Sequence, residues 1–354
     1  MNRNLENSLH LQPVPNGGSP GPTEDTPSLS QALHEALAPV SAEMAELELR
    51  LTSYLPIETR SAKEVCDHFF AQKGKRIRPA LYFFSAHLFE KQGEHHYPIA
   101  AVCEFVHTAS LLHDDVVDSS TLRRNKPTAN SIWGDETSVL VGDLAYSTAS
   151  EMMASTGSLE IVKSFARAIR LMSEGELMQL ENVFHFHLSE SAYFRTLECK
   201  TGELIGTSCQ AAAILADATS AEKEALYQFG KNLGIAFQLV DDSLDYLGAR
   251  EIFGKKNLSD LEEGKVTLPL ILAREKMTNS ERELCHRLFS QSELSQENRL
   301  YVASLVEKYE TAVQTINAAE TYTKRAIDAL GIFSGSPWQK NMVALAEQLV
   351  WRSV

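Results

Sequence analysis

The 354-residue chain has no run of about 18 apolar residues, the least that spans a bilayer. Its greasiest stretch, Leu268-Pro269-Leu270-Ile271-Leu272-Ala273, is far too short. Basic charge is also scarce: 33 Lys and Arg stand against 47 Asp and Glu, a net charge of −14. That balance excludes a general nucleic-acid binder, which needs an extended basic footprint. The five cysteines, Cys66, Cys103, Cys199, Cys209 and Cys285, form no C-x-x-C pair. A scattered, odd set excludes a disulfide frame and suits reduced thiols in a cytoplasmic protein. The opening Met1-Asn2-Arg3-Asn4-Leu5-Glu6 lacks the apolar segment of a secretory signal. β-branched alternation is nearly absent, the one ambiguous piece being Val183-Phe184-His185-Phe186-His187.

What remains is globular in composition, 44% apolar and 23% charged, which rules out wholesale disorder. Residues 1–27, with Gln12-Pro13-Val14-Pro15-Asn16-Gly17-Gly18-Ser19-Pro20-Gly21-Pro22 at their centre, hold too little apolar surface to fold alone and read as a disordered tail. Order is expected from Ser28, where Ser28-Leu29-Ser30-Gln31 fits a capping box. Leu33, Leu37, Val40, Met44, Leu47, Leu51 and Leu55 then follow a helical period. Pro39, with no N–H to donate, should divide that stripe. The period returns over roughly 79–92, 98–118, 137–154, 158–182, 190–216, 221–247, 267–276, 296–330 and 338–351. The expectation is one all-α domain over residues 28–354.

One echo stands out. Asp114-Asp115-Val116-Val117-Asp118 and Asp241-Asp242-Ser243-Leu244-Asp245 spell the same acidic pentad and use six of the thirteen aspartates. On a helix the first and fifth positions lie one turn apart on one face, which pairs Asp114 with Asp118 and Asp241 with Asp245. Both pentads follow apolar runs, Leu111-Leu112 and Leu239-Val240. Clustered carboxylates beside apolar surface are costly unless a cation lies among them. With no neighbouring His or Cys cluster, the ion expected is hard and oxygen-ligated, Mg²⁺ shared with substrate phosphates. A lone acidic pentad would more simply be a solvated helix face; two of them on apolar helices are not. Basic clusters flank them: Lys75, Arg76 and Arg78 in Gly74-Lys75-Arg76-Ile77-Arg78-Pro79; Arg123-Arg124; Lys200-Thr201; Gly254-Lys255-Lys256; and Gly264-Lys265. Each alone is an ordinary surface charge. Together they suggest two phosphate pockets.

In this order, the basic Gly74–Pro79 segment, His107-Thr108-Ala109-Ser110-Leu111-Leu112-His113 before the first pentad, Arg123-Arg124, Phe237-Gln238-Leu239-Val240 before the second, and Gly264-Lys265-Val266-Thr267-Leu268-Pro269-Leu270 resemble the motif series of trans-isoprenyl diphosphate synthases. The resemblance is nearest the long-chain octaprenyl/solanesyl branch and runs from about residue 30 to 354. It implies an isoprenoid-synthase-type helical bundle around a deep apolar cavity, active as a homodimer. Asp114 and Asp118 would hold two Mg²⁺ with Asp115 in support, and Asp241 a third, beside Asp242. Lys75, Arg78, His107 and Arg124 would bind isopentenyl diphosphate. Arg123, Lys200, Thr201, Gln238, Lys255 and Lys265 would grip an allylic diphosphate such as farnesyl diphosphate. Ala109 and Ser110 would line the path of the growing chain and, being small, leave it open beyond the geranylgeranyl length. Phe105, one turn deeper, could floor it.

The implied reaction is a 1′–4 head-to-tail condensation giving a long all-trans polyprenyl diphosphate, plausibly for a quinone side chain. Two departures from the family pattern stand in the chain. Asn125 replaces a glycine after the arginine pair, and Leu258-Ser259-Asp260 replaces the frequent Gly-Asp-Asp, which puts the closure of that loop in question. A shorter-chain geranylgeranyl or farnesyl synthase and a non-catalytic subunit of a heteromeric synthase are the alternatives; the second should have lost a pentad. A terpene cyclase would not need the Lys75/Arg78/His107 pocket. A metal phosphohydrolase built on His113-Asp114 would need further histidines and leaves the second pentad unexplained.

Overall fold

A computed structural model describes residues 29–55, 57–71, 74–89, 93–123, 126–247 and 258–351. The expected tail and the Ser28 cap lie outside the described residues. The amphipathic N-terminal stripe breaks where proline demands it: α1 (Leu29–Leu37) ends, Ala38–Val40 forms a 3₁₀ turn around Pro39, and α2 (Ser41–Leu51) resumes. Next come α3 (Arg60–Ala71), α4 (Ile77–Ala86) and α5 (His96–Val117). A short antiparallel hairpin follows, β1 (Leu122–Arg123) against β2 (Lys126–Pro127), with Leu122 opposite Pro127. No sequence signal announced it, since each arm has two residues and the second ends on proline.

The chain continues through α6 (Ala129–Trp133), α7 (Asp135–Ser155), α8 (Leu159–Glu181), α9 (Glu190–Leu197), α10 (Glu203–Leu215) and α11 (Ser220–Leu247). It closes with α12 (Ser259–Glu262), α13 (Leu268–Lys276), α14 (Asn279–Phe289), α15 (Gln296–Lys308), α16 (Thr311–Ala329) and α17 (Pro337–Trp351). The 190–216 stretch, expected as one helix, carries a π-turn at Glu198–Gly202 between α9 and α10. The 296–330 stretch divides at Glu310, whose φ of 53° leaves the helical region. The ambiguous 183–187 piece is a turn, not a strand, with Phe184 at φ 55°.

One continuous apolar core links these helices, with Leu81, Phe83, Phe84, Phe105, Phe165, Phe229 and Ile271 essentially inaccessible. Helix α5 is buried over most of its length against α4, α7 and α10. Helix α11 lies between α10 and α16. Burying each such side chain contributes roughly 1.5–3 kcal/mol, so both helices bearing the pentads are firmly seated in the fold. No helix among the described residues is long and apolar enough to cross a membrane.

Candidate active site

Each pentad sits at the C-terminal end of its helix. Asp114 and Asp115 occupy the last turn of α5 and Asp118 caps it, its N–H donating to Asp114 O at 2.8 Å. Asp241, Asp242 and Asp245 occupy the last two turns of α11. A helix C-terminus carries partial negative charge, so both clusters stand where carboxylates are least welcome. The electrostatics record the cost. Burial pushes the Asp114 carboxyl up to about 6; Glu176 and Asp118 push the same way, and only Lys200 and Arg123 oppose them. Burial also raises Asp242 to about 6, despite two hydrogen bonds to its charged form.

The cations lie between the two walls. Lys200 stands in the π-turn, paired with Glu176 and 3.3 Å from Gln179 Oε1, close enough to Asp114 to offset part of its burial. Gly175 of α8 lets that turn come near: a Cβ there would lie 2.8 Å from Lys200 N and 2.9 Å from Cys199 Cβ. Lys265 pairs with Glu263. Burial alone would lower its pKa, but Glu263, Asp118 and Asp260 together hold it above the ordinary lysine value. Lys265 therefore senses the first pentad through Asp118 and acts on the second by opposing the raised proton affinity of Asp242. Lys200, Thr201, Gln238, Asp242 and Lys265 line one pocket, which Tyr193, Asn182 and Asp260 complete.

The remaining acids are engaged in the frame. Asp115 is buried, and its Oδ1 accepts from Arg123 Nε at 2.9 Å and Nη2 at 2.8 Å, tying the hairpin to α5. Asp242 accepts from Tyr193 Oη at 2.5 Å and Gln238 Nε2 at 2.8 Å. Asp245 caps α12 from outside: Oδ1 accepts from Ser259 N at 3.0 Å and Ser259 Oγ at 2.8 Å, and Oδ2 from Asp260 N at 3.1 Å. Those contacts show how the described Leu258-Ser259-Asp260 part of the loop is held. Leu258 adopts φ 41° where a glycine would be relaxed, is buried, and leaves Ser259 to bond Asp245.

At the start of α4, Lys75 is exposed and Arg78 is half-buried. Arg78 Nε is shielded with no hydrogen-bond partner, and burial lowers the guanidinium pKa against the opposing charge of Glu104. Arg76, between them, is not available: at φ 46° it turns inward to Glu48 (2.6 Å) and Glu104 (2.5 Å). His107 lies two turns before Asp114 on α5. His113 points to α7 instead, 3.1 Å from Val139 O, its ring filling the space over Gly142. Ala109 is buried, Ser110 Oγ bonds its own helix at His107 O, and the inaccessible Phe105 packs edge-on against Phe70 of α3, centroids 6.1 Å apart. Arg124 and Lys255 lie outside the described residues.

The model of one protein family, polyprenyl synthetase, matches residues 59–306, a span containing both pentads, Lys75, Lys200 and Lys265. The chain belongs to the polyprenyl synthetase family. It is 36% identical to the octaprenyl diphosphate synthase of Escherichia coli over 88% of this chain and 96% of that one. A crystal structure of a decaprenyl diphosphate synthase from Rhodobacter capsulatus superposes with a TM-score of 0.86 at 33% identity, covering 91% of this chain and 99% of that one. A polyprenyl synthase from Caulobacter crescentus, complexed with calcium and isoprenyl diphosphate, gives a TM-score of 0.85 at 36% identity over 91% and 98%. The all-α expectation and the kinship with long-chain synthases both hold.

Several residues of the site were not singled out in the sequence. Glu176, Gln179, Tyr193 and Asn182 lie 20 or more residues from either pentad, and no spacing rule links them to it. Asp260 was visible only as a departure from the family's loop. Its carboxyl is held well above the usual range by burial, with Asp242 and Asp245 adding like charge.

A divalent cation fits this donor set. Carboxylate oxygens at two negative helix ends, two of them with raised proton affinity, are hard ligands short of positive charge. Among the described residues no three His, Cys, Asp or Glu side chains close a metal cage by themselves. Oxygens from a phosphate ligand would have to complete the coordination, as Mg²⁺ sites commonly require.

Proposed function

We propose that this polyprenyl synthetase elongates an allylic diphosphate with isopentenyl diphosphate, by 1′–4 condensation, to a long-chain all-trans polyprenyl diphosphate. It is a transferase. The observation carrying the reading is that Lys265 feels Asp118 of the first pentad and acts on Asp242 of the second, while Lys200 partly offsets the burial of Asp114. Two acidic walls and two cations thus address one pocket.

Asp114, Asp118 and Asp241 are the proposed ligands of two to three Mg²⁺, which when bound would draw charge from the departing diphosphate. Lys200, Lys265, Thr201, Gln238 and Arg123 are assigned to the allylic diphosphate, with Lys255. The lysines supply fixed positive charge where the leaving group becomes more negative as the allylic C–O bond breaks. Asp242 is a positioning residue, holding Gln238 and Tyr193 at the pocket wall. Asp115 likewise holds Arg123. Lys75, Arg78, His107 and Arg124 are assigned to isopentenyl diphosphate, and the unpartnered Arg78 Nε supports that assignment. The double bond of isopentenyl diphosphate attacks the allylic cation, and a proton then leaves, the released diphosphate being the acceptor we favour. Apolar residues around Ala109 keep water from quenching the cation. Small Ala109 and Ser110, with Phe105 committed to Phe70, favour a product longer than geranylgeranyl diphosphate. A homodimer, a single folded domain over residues 28–354 and a cytoplasmic site of action complete the proposal.

Purified protein with Mg²⁺, isopentenyl diphosphate and farnesyl diphosphate, its products resolved by chromatography, tests the reading. Polyprenyl chains near the octaprenyl length are expected. Products stopping at geranylgeranyl would convert it to a short-chain synthase, and no condensation would favour a non-catalytic subunit.

A further inference from the structure

None of the residues Val183–His187 is assigned to a substrate above, and the turn is held at several points. Phe184, at φ 55°, donates its N–H to Gly264 O at 2.8 Å. Gly264, at φ 72°, has no room for a Cβ, which would lie 2.5 Å from the Phe184 ring. Arg274 donates to Phe186 O, and the buried Phe186 ring stacks obliquely on Phe289, centroids 5.5 Å apart. The turn is thereby fixed against α13 and α14. Helix α14 is fixed too, by a full capping box at Thr278 and Glu281 whose carboxylate also receives Lys308 and Tyr309.

These two rigid elements bring together histidines 99 residues apart: His187 Nε2 lies 3.2 Å from His286 Nδ1. Both side chains are exposed. Two nitrogens bound to one tetrahedral ion at about 2.0–2.1 Å stand about 3.3–3.4 Å apart, so a modest rotation of the rings would direct both lone pairs at a common ion. We propose that His187 and His286 form a surface site for a transition-metal ion of the Zn²⁺ class, separate from the acidic motifs.

The groups facing His187 are His185 on its own turn, His286 and Arg282 on α14, and Arg274 on α13. An exposed imidazole is largely neutral near pH 7, the form that ligates metals. The arginines are committed elsewhere, Arg274 to Phe186 O, Arg282 to Arg274 O and Met277 O. Imidazole nitrogens bind Mg²⁺ poorly and favour ions with strong nitrogen affinity, which must outweigh the repulsion from the two guanidiniums. His185 is held by Asn182 Oδ1 at 3.2 Å, so the ion has two protein ligands and water. A bound ion would staple the turn that presses Phe184 on Gly264, the neighbour of Lys265.

Isothermal titration of the full-length, Mg²⁺-saturated protein with Zn²⁺ alone tests this. Saturable binding of one ion per chain in the micromolar range is expected. His187→Ala and His286→Ala should each weaken that event at least about tenfold, while His185→Ala leaves it intact. Because all three side chains are exposed, circular dichroism should report an unchanged fold; if one alanine variant does not fold, the corresponding asparagine variant replaces it. No binding in the micromolar range, or binding unchanged in both variants, would overturn the site.

Discussion

The two pentads are spelled alike and used differently. At the end of α5, one acid of three, Asp115, is absorbed into the frame by Arg123, and Asp114 and Asp118 stand a turn apart near Lys200 and Lys265. At the end of α11, two acids are absorbed: Asp242 by Tyr193 and Gln238, Asp245 by Ser259 and the Asp260 amide. The first pentad offers a pair of carboxylates, and the second spends most of its charge arranging its own surroundings. An identical pattern therefore does not predict identical duty, because duty depends on which donors the fold delivers to each oxygen.

That comparison is easiest to break with the leading acids. Asp114→Ala and Asp241→Ala should each lower turnover by at least about a hundredfold, measured with Mg²⁺ and both substrates. If only the Asp114 variant is damaged, the second pentad is purely structural. Asp118→Ala should fall in the same class, whereas Asp245→Ala should cost only about tenfold. Its effect should appear chiefly as a higher KM for the allylic substrate, because α12 loses its cap beside Asp260 and Lys265. Equal effects on kcat in the two variants would erase the asymmetry.

Stability of the metal-free protein gives a finer contrast. Asp114 has a folded pKa of about 6 against an ordinary 3.8. The folded state thus holds more protons than the unfolded state between those values. This group's favourable protonation is complete below about 4 and is lost as pH rises through 6, leaving a cost of roughly 3 kcal/mol at neutral pH. Asp114→Asn should remove part of that cost and raise the metal-free Tm at pH 7.5 while abolishing activity. Asp242→Asn removes a similar burial cost but places an amide N–H₂ against Tyr193 Oη or Gln238 Nε2, where roughly 1–3 kcal/mol should be lost, so it should gain less than Asp114→Asn. Denaturant melts of both variants without metal decide the matter; equal gains would mean that the two sites are more alike than their contacts imply. Mg²⁺ affinity of the metal-free wild type should weaken as pH drops below about 6, when a proton on Asp114 competes with the ion.

The smallest expected effect on turnover belongs to the α5 wall. Ala109→Phe should leave the first condensation largely intact while shortening the product to about three or four isoprene units, since a turn of helix advances about 5.4 Å. An unchanged chromatogram would mean that the growing chain does not pass residue 109.

Much of this was written locally. The 3.6-residue period fixed the helices, Pro39 the break before α2, and the doubled pentad with its basic neighbours the chemistry, because each depends on side chains close in sequence. A local reading also had the material for α14, whose cap is Thr278 and Glu281, three residues apart. Other features were decided only when distant segments met. Arg76 and Arg78 are two residues apart, yet one is neutralised by Glu48 and Glu104 while the other keeps a bare Nε. Asp242 and Asp245 look like ligands until Tyr193, 49 residues away, and Ser259, 14 away, claim their oxygens. His187 and His286 carry no sequence relation at all. Periodicity and motif identity follow from the backbone's own geometry, so the chain states them. The partner of a buried charge follows from which surfaces exclude water together, and only the packed helices determine that.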